Sequence, residues 1–155
     1  MDDVTLARAL HVIAIVHWIG GVSFVTLVIL PLARAAGSEG VALFERIEHR
    51  FATQVRLSIP LAGLTGFWMT WRLDLWDRFA DPAFWWMTAM VALWVLFMTV
   101  VFMVEPLLGH RIVRAAGRAP EAVLSRALRL HLVLLLVSAL TVLGATAGAH
   151  GYFLR

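Results

Sequence analysis

The chain has 155 residues, of which 61% are hydrophobic and 15% charged, a balance that excludes an ordinary soluble globular domain and indicates a single membrane domain. It contains no cysteine, which excludes disulfides, thiolate catalysis and cysteine-bound iron–sulfur clusters. All 13 basic residues are arginine, so Schiff-base chemistry on lysine is excluded as well, and the net charge of +3 gives no reason to expect a nucleic-acid partner.

Four apolar stretches are long enough to cross a bilayer, and we predict spans over residues 5–32, 57–71, 83–108 and 128–149. A helix needs roughly 20 residues to cross about 30 Å of hydrocarbon. The short second span reaches that length once an amphipathic helical approach from about residue 41 is included. The sequence therefore predicts an all-α integral membrane four-helix bundle that covers residues 1–155 as one domain.

The arginines divide unequally between the two sides of this bundle. Nine of them lie in the connections between spans one and two and between spans three and four, whereas the other four share their side with several aspartates. The positive-inside rule therefore places both termini on the outer side, which is the periplasm for a bacterial inner membrane. Five tryptophans near the outer loop fit an aromatic belt at the headgroups: Trp68, Trp71, Trp76, Trp85 and Trp86.

Two histidines are predicted to lie at similar depth near the outer side. His11 is in the outer half of the first span, and His150 closes the fourth span, which runs in the opposite direction. At 1.5 Å of rise per residue, both lie roughly 10–16 Å outward of the midplane. Bis-histidine ligation of a haem b needs two imidazoles from facing helices at similar depth. We therefore predict His11 and His150 as axial haem ligands.

Small residues beside a ligand allow a porphyrin to approach the helix. Gly144 and Gly148 supply them next to His150, although small residues also serve close helix packing without a cofactor. Arg72, near the outer rim, is a candidate partner for a haem propionate, and its alternative role is an interface anchor.

The remaining histidines offer alternatives. His17 lies near the midplane, about 9 Å and about 120° of helix rotation from His11, so one metal cannot readily take both. Its alternative role is a neutral imidazole hydrogen-bonded across the bundle. His131, in the inner half of the fourth span, is a candidate for a second haem together with His49. Glu105, near the inner end of the third span, is predicted to snorkel or to pair with an arginine.

Three methionines indicate copper as an alternative to haem iron. Met69, Met87 and Met90 lie in the outer halves of spans two and three, and thioethers together with imidazoles suit Cu(I). The alternative is that these side chains are simply apolar filler of the membrane core.

The first span also carries a short motif. Leu10-His11 is followed about two turns later by Trp18-Ile19-Gly20-Gly21, and this pattern resembles the first helix of small membrane proteins grouped with copper-resistance protein D and the HemJ-type protoporphyrinogen oxidases. The resemblance implies that His11 is the haem or metal ligand of that helix. HemJ-type proteins also use a lysine in the third helix, and this chain has none, which argues against protoporphyrinogen oxidation.

The function expected from these observations is that of a haem b-binding membrane protein that transfers electrons to or from a quinone or a periplasmic redox protein. A haem held by two imidazoles has no open position, so redox chemistry is expected rather than oxygen chemistry. One alternative is a copper-handling membrane protein, and another is a structural or assembly subunit without a cofactor, with homo-oligomers compatible with each.

Overall fold

The computed structural model describes residues 2–107 and 119–152. Over those residues the chain is helical and contains no strand, which confirms the predicted all-α class. Four long helices account for most of it: α1 (Asp3–Ala35), α2 (Gly37–Arg72), α3 (Pro82–Leu107) and α4 (Pro120–Ala149). A 3₁₀ turn, Trp76–Phe79, lies between α2 and α3.

Local signals in the sequence explain where these helices begin and end. The side chain of Asp2 accepts a hydrogen bond from the Val4 amide at the start of α1, as a helix N-cap does. Gly37 has φ of +60°, a left-handed conformation that favours glycine and lets α2 begin directly after α1. α4 begins with Pro120 at its first turn, eight residues before the predicted span.

Three of the four helices, α1, α3 and α4, are long and apolar enough to cross a membrane. α2 contains the predicted span of residues 57–71 but is not among them. Arg56 and Arg72 bound its apolar part, and Pro60 together with glycine, threonine and tryptophan lowers its mean hydropathy. α2 therefore carries a weaker membrane signal than the helices around it.

The main core joins all four helices. Buried residues of α1, α2 and α3 form it, with Leu134 and Leu135 of α4 packed against them: Ala14, Trp18, Val22, Val55, Ile59, Ala62, Leu93, Phe97 and Val101. The most extensive contact is between α1 and α2. There the ring of Phe51 lies where a side chain at Gly21 would stand, so the glycine lets the two helices approach closely. α2 is thus the helix against which α1 is fixed.

Two of the helices contain a π-helical segment. Val25–Ile29 interrupts α1 and Val100–Val104 interrupts α3. Such segments widen a helix locally and are found frequently at functional sites. Both lie in the half of the bundle nearest the connection between α1 and α2.

Candidate functional site

His11 is held against α2. Its Nδ1 donates a hydrogen bond to the carbonyl oxygen of Ala62 at 2.8 Å and lies 3.1 Å from the hydroxyl oxygen of Thr65. A side chain at Gly66 would stand against the imidazole, at 3.2 Å from Cε1, so this glycine makes room for the ring. The half-buried imidazole is therefore fixed by three residues within little more than one turn of α2.

The partner of Nδ1 determines the protonation of the His11 ring. A carbonyl oxygen only accepts, so Nδ1 carries the hydrogen, and Nε2 of the neutral imidazole carries the lone pair. Metal-binding histidines usually show this arrangement, in which the second ring nitrogen donates to a carbonyl and orients the ligand. His11 therefore has the tautomer that an axial iron ligand requires.

His150 shows the same arrangement on a different element. Its Nδ1 donates to the carbonyl oxygen of Thr146, one turn earlier in α4, at 2.8 Å, and the side chain is exposed. Its Nε2 is likewise the lone-pair nitrogen. Among the described residues, no hydrogen bond or ring contact joins His150 to His11, because His11 is bonded to α2 and His150 within its own helix.

Tryptophan rings pack against the glycines beside His150. A side chain at Gly144 would collide with the ring of Trp85, and one at Gly148 with the ring of Trp86. Both tryptophans belong to α3, so the small residues of α4 bring these two helices together, which is the alternative role that small residues can have. A porphyrin could approach α4 at these glycines only if the indoles moved.

Arg72 is engaged by a carboxylate at the end of the bundle that carries the described termini. Its Nε and one terminal nitrogen donate to the two carboxylate oxygens of Asp3, at 2.6 and 3.3 Å. This two-bond contact ties the end of α2 to the start of α1. A haem propionate at Arg72 would have to share the guanidinium with Asp3.

His17 has partners at both ring nitrogens. Nδ1 lies 3.1 Å from the hydroxyl of Ser58, and Nε2 lies 3.3 Å from Oε1 of Gln54. With the amide oriented in this way, Nε2 donates to Gln54 and Nδ1 accepts from Ser58, so no nitrogen is left for a metal. This is the hydrogen bond across the bundle that the sequence offered as the alternative for His17.

His131 and the methionines are the remaining candidate ligands. Nδ1 of His131 donates to the carbonyl oxygen of Ala127 at 2.9 Å, and its ring faces Phe44 edge-on. Met87 is buried on α3, with Met69 on α2 and Met90 on α3 half-buried. Within residues 2–107 and 119–152, no group of three or more histidine, aspartate or glutamate side chains forms a metal site.

Two residues to which the sequence assigned no role lie near His131. Trp18 and Glu48 line a cavity with it, and Glu105 lies on the same wall. Glu105 pairs with Arg56 at 3.3 Å, which confirms the prediction of an arginine-paired carboxylate. Glu48 lies in the amphipathic approach predicted from about residue 41, and only the packing of four helices shows that it borders a cavity.

Comparison with known proteins found no relative of this chain. No protein family model matches the chain, no curated protein is significantly similar to it, and no solved structure matches it. Its function must therefore be inferred from its own side chains.

The two histidines suit a haem iron, whereas the space beside the glycines of α4 is not open to a porphyrin. His11 and His150 each present a lone-pair nitrogen oriented by a backbone carbonyl, which is the donor chemistry of an axial ligand. Gly144 and Gly148 are already filled by indoles. A haem at this end of the bundle would therefore rely on the two imidazoles, because the space at Gly66 is already taken by the His11 ring.

Proposed function

We propose that the protein is an integral membrane haem b protein of the bacterial inner membrane, with four membrane spans and both termini on the outer side. His11 is the first axial ligand and His150 the second. When bound, the haem would supply a one-electron redox centre that exchanges electrons with a quinone or a periplasmic redox protein.

One observation carries this proposal, namely the hydrogen bond from Nδ1 of His11 to Ala62. It leaves Nε2 as the lone-pair nitrogen, and it holds the ring in one orientation at membrane depth, where an imidazole usually has a functional partner. Gly66 keeps the neighbouring surface of α2 free of a side chain. The role of this chain is then to hold and orient the haem and to keep water away from the iron.

The test is the visible spectrum of the protein purified from cells supplied with haem precursors. We expect a Soret band and a sharp reduced α band in the wild-type protein, and loss of both in His11→Ala. His17→Ala is the matched control, because it removes an imidazole from the same helix whose nitrogens are both bonded, and it should keep the spectrum. Full retention of haem in His11→Ala would overturn the assignment.

A second candidate function is that of a structural or assembly subunit without a cofactor. The contacts of Gly144 and Gly148 with tryptophan rings favour it, because they explain these small residues by helix packing alone. A protein that is folded and membrane-inserted but shows neither a Soret band nor bound copper by metal analysis would support this candidate.

A further inference from the structure

A cavity of about 110 Å³ lies between the four helices, in the half of the bundle nearest the connection between α1 and α2. Most of its wall is apolar, with Val22, Val55 and Phe97 among its residues. The π-helical segments of α1 and α3 contribute Val25, Val100 and Val101. The cavity is therefore built at the level where two helices depart from regular geometry.

One wall of the cavity carries a polar atom without a partner. Trp18 is only 4% exposed, and within the described residues its indole Nε1 has no hydrogen-bond acceptor. Tryptophan N–H groups usually have a partner when buried, because leaving a donor unpaired in an apolar environment costs free energy. An acceptor brought next to this indole would satisfy the donor.

The polar groups of the cavity that lie nearer the connection between α1 and α2 offer acceptors rather than a donor. Glu48 has no hydrogen-bond or ion-pair partner among the described residues, whereas Glu105 is neutralised by Arg56. Burial, assisted by the charges of Glu105 and Glu45, raises the pKa of Glu48 to about 7, and this carboxyl lies outside the predicted spans. Nε2 of His131, as the lone-pair nitrogen, adds a second acceptor.

These groups restrict the chemistry of a ligand. A cation would leave the Trp18 N–H without an acceptor, and an anion would be repelled by the Glu48 carboxylate. A neutral ring with an acceptor oxygen at one end and a hydroxyl at the other would satisfy both ends. The cavity is smaller than the roughly 150 Å³ apolar cavity that admits benzene, so a single ring enters only with some movement of the lining side chains, and a porphyrin does not fit.

We infer that this cavity binds the headgroup of a quinol or quinone, with one ring oxygen accepting from Trp18 and the opposite hydroxyl donating to Glu48 or His131. The site lies apart from His11, whose partners are further along α2. The role of the ligand as an electron partner rests on the proposed haem function. The binding of the quinol or quinone in the cavity does not depend on that function.

The test is saturable binding of hydroquinone and 1,4-benzoquinone, which are single rings, to the full-length protein in lipid nanodiscs, with empty nanodiscs subtracted. Trp18→Phe removes the donor and keeps a ring, and Glu48→Gln removes the ionisable group and keeps its shape. Each should weaken hydroquinone binding about tenfold, the size of one hydrogen bond. Ala52→Leu, which fills the cavity without removing a polar group, should abolish binding of both forms.

Matched controls are Trp71→Phe and Glu39→Gln, which change exposed residues of the same types outside the cavity and should bind as the wild type does. Absent saturable binding, or equal binding in all variants, would overturn the inference and leave the cavity to water. Binding is also measured in His11→Ala. Retained quinone binding in a variant that lacks haem separates this site from the haem proposal.

Discussion

At the scale of single residues, two imidazoles on one helix differ in what their neighbours leave free. His11 is bonded at one nitrogen by a backbone carbonyl, and His17 is bonded at both nitrogens by side chains of α2. Both arrangements join α1 to α2, but only the first leaves a lone-pair nitrogen without a partner among the described residues. This difference depends on the neighbouring helix, so spacing along α1 alone did not reveal it.

The role of His17 predicts a loss of stability without a loss of haem. Ser58→Ala removes the hydroxyl that donates to His17, and we expect the free energy of unfolding to fall by about 0.5–1.5 kcal/mol. Thr53→Ala is the control, because that exposed hydroxyl bonds only to its own helix. Unfolding measured in bicelles with and without haem checks both points, and equal stabilities of the two variants would contradict the role given to His17.

Glu48 predicts a dependence of stability on pH. Its pKa is raised from 4.5 to about 7 in the folded protein, chiefly by burial, so the unfolded chain loses this proton first as pH rises. The contribution of Glu48 to stability therefore falls between pH 4.5 and 7 and stays low above that range. Glu48→Gln should reduce this fall, as seen in thermal unfolding midpoints at pH 5 and pH 8. An unchanged pH profile would contradict the burial of this carboxyl.

At the scale of elements, α3 and α4 meet through indoles set against glycines. Gly148→Leu should collide with Trp86 and destabilise the protein by about 1–3 kcal/mol. The double variant Gly148→Leu with Trp86→Ala should recover part of the loss, because the removed indole makes room for leucine. Thermal unfolding in detergent measures both. A Gly148→Leu variant of normal stability that loses only haem would show instead that this glycine makes room for a porphyrin.

The sequence predicted the helices better than the contacts between them. Apolar length alone predicted α1, α3 and α4, and a helical approach to the second span is present as the first half of α2. The π-helical segments were not predicted, because they arise where helices pack rather than from local propensity. The sequence predicted depth from the rise per residue. It did not predict rotation, because the membrane helices are apolar on nearly every face, so the contacts of His11 and Gly148 needed the structure.

At the scale of the whole molecule, the unequal distribution of arginine predicts the orientation in the membrane. The chain has no cysteine, so one introduced cysteine is a unique label. Asp77→Cys, between α2 and α3, should react with an impermeant maleimide in intact spheroplasts. Glu39→Cys, at the start of α2, should react only after permeabilisation. The reverse pattern would place both termini inside and contradict the proposed topology.

The central claim is that one imidazole from α1 and one from α4 hold the same iron. Electron paramagnetic resonance of the oxidised, purified protein tests it most directly, because two imidazole ligands give a low-spin ferric haem. We predict a low-spin signal in the wild-type protein and its conversion to a high-spin signal in His150→Ala, with His11→Ala losing the haem. A high-spin wild-type signal, or a low-spin signal that survives in His150→Ala, would contradict the pairing of His11 with His150.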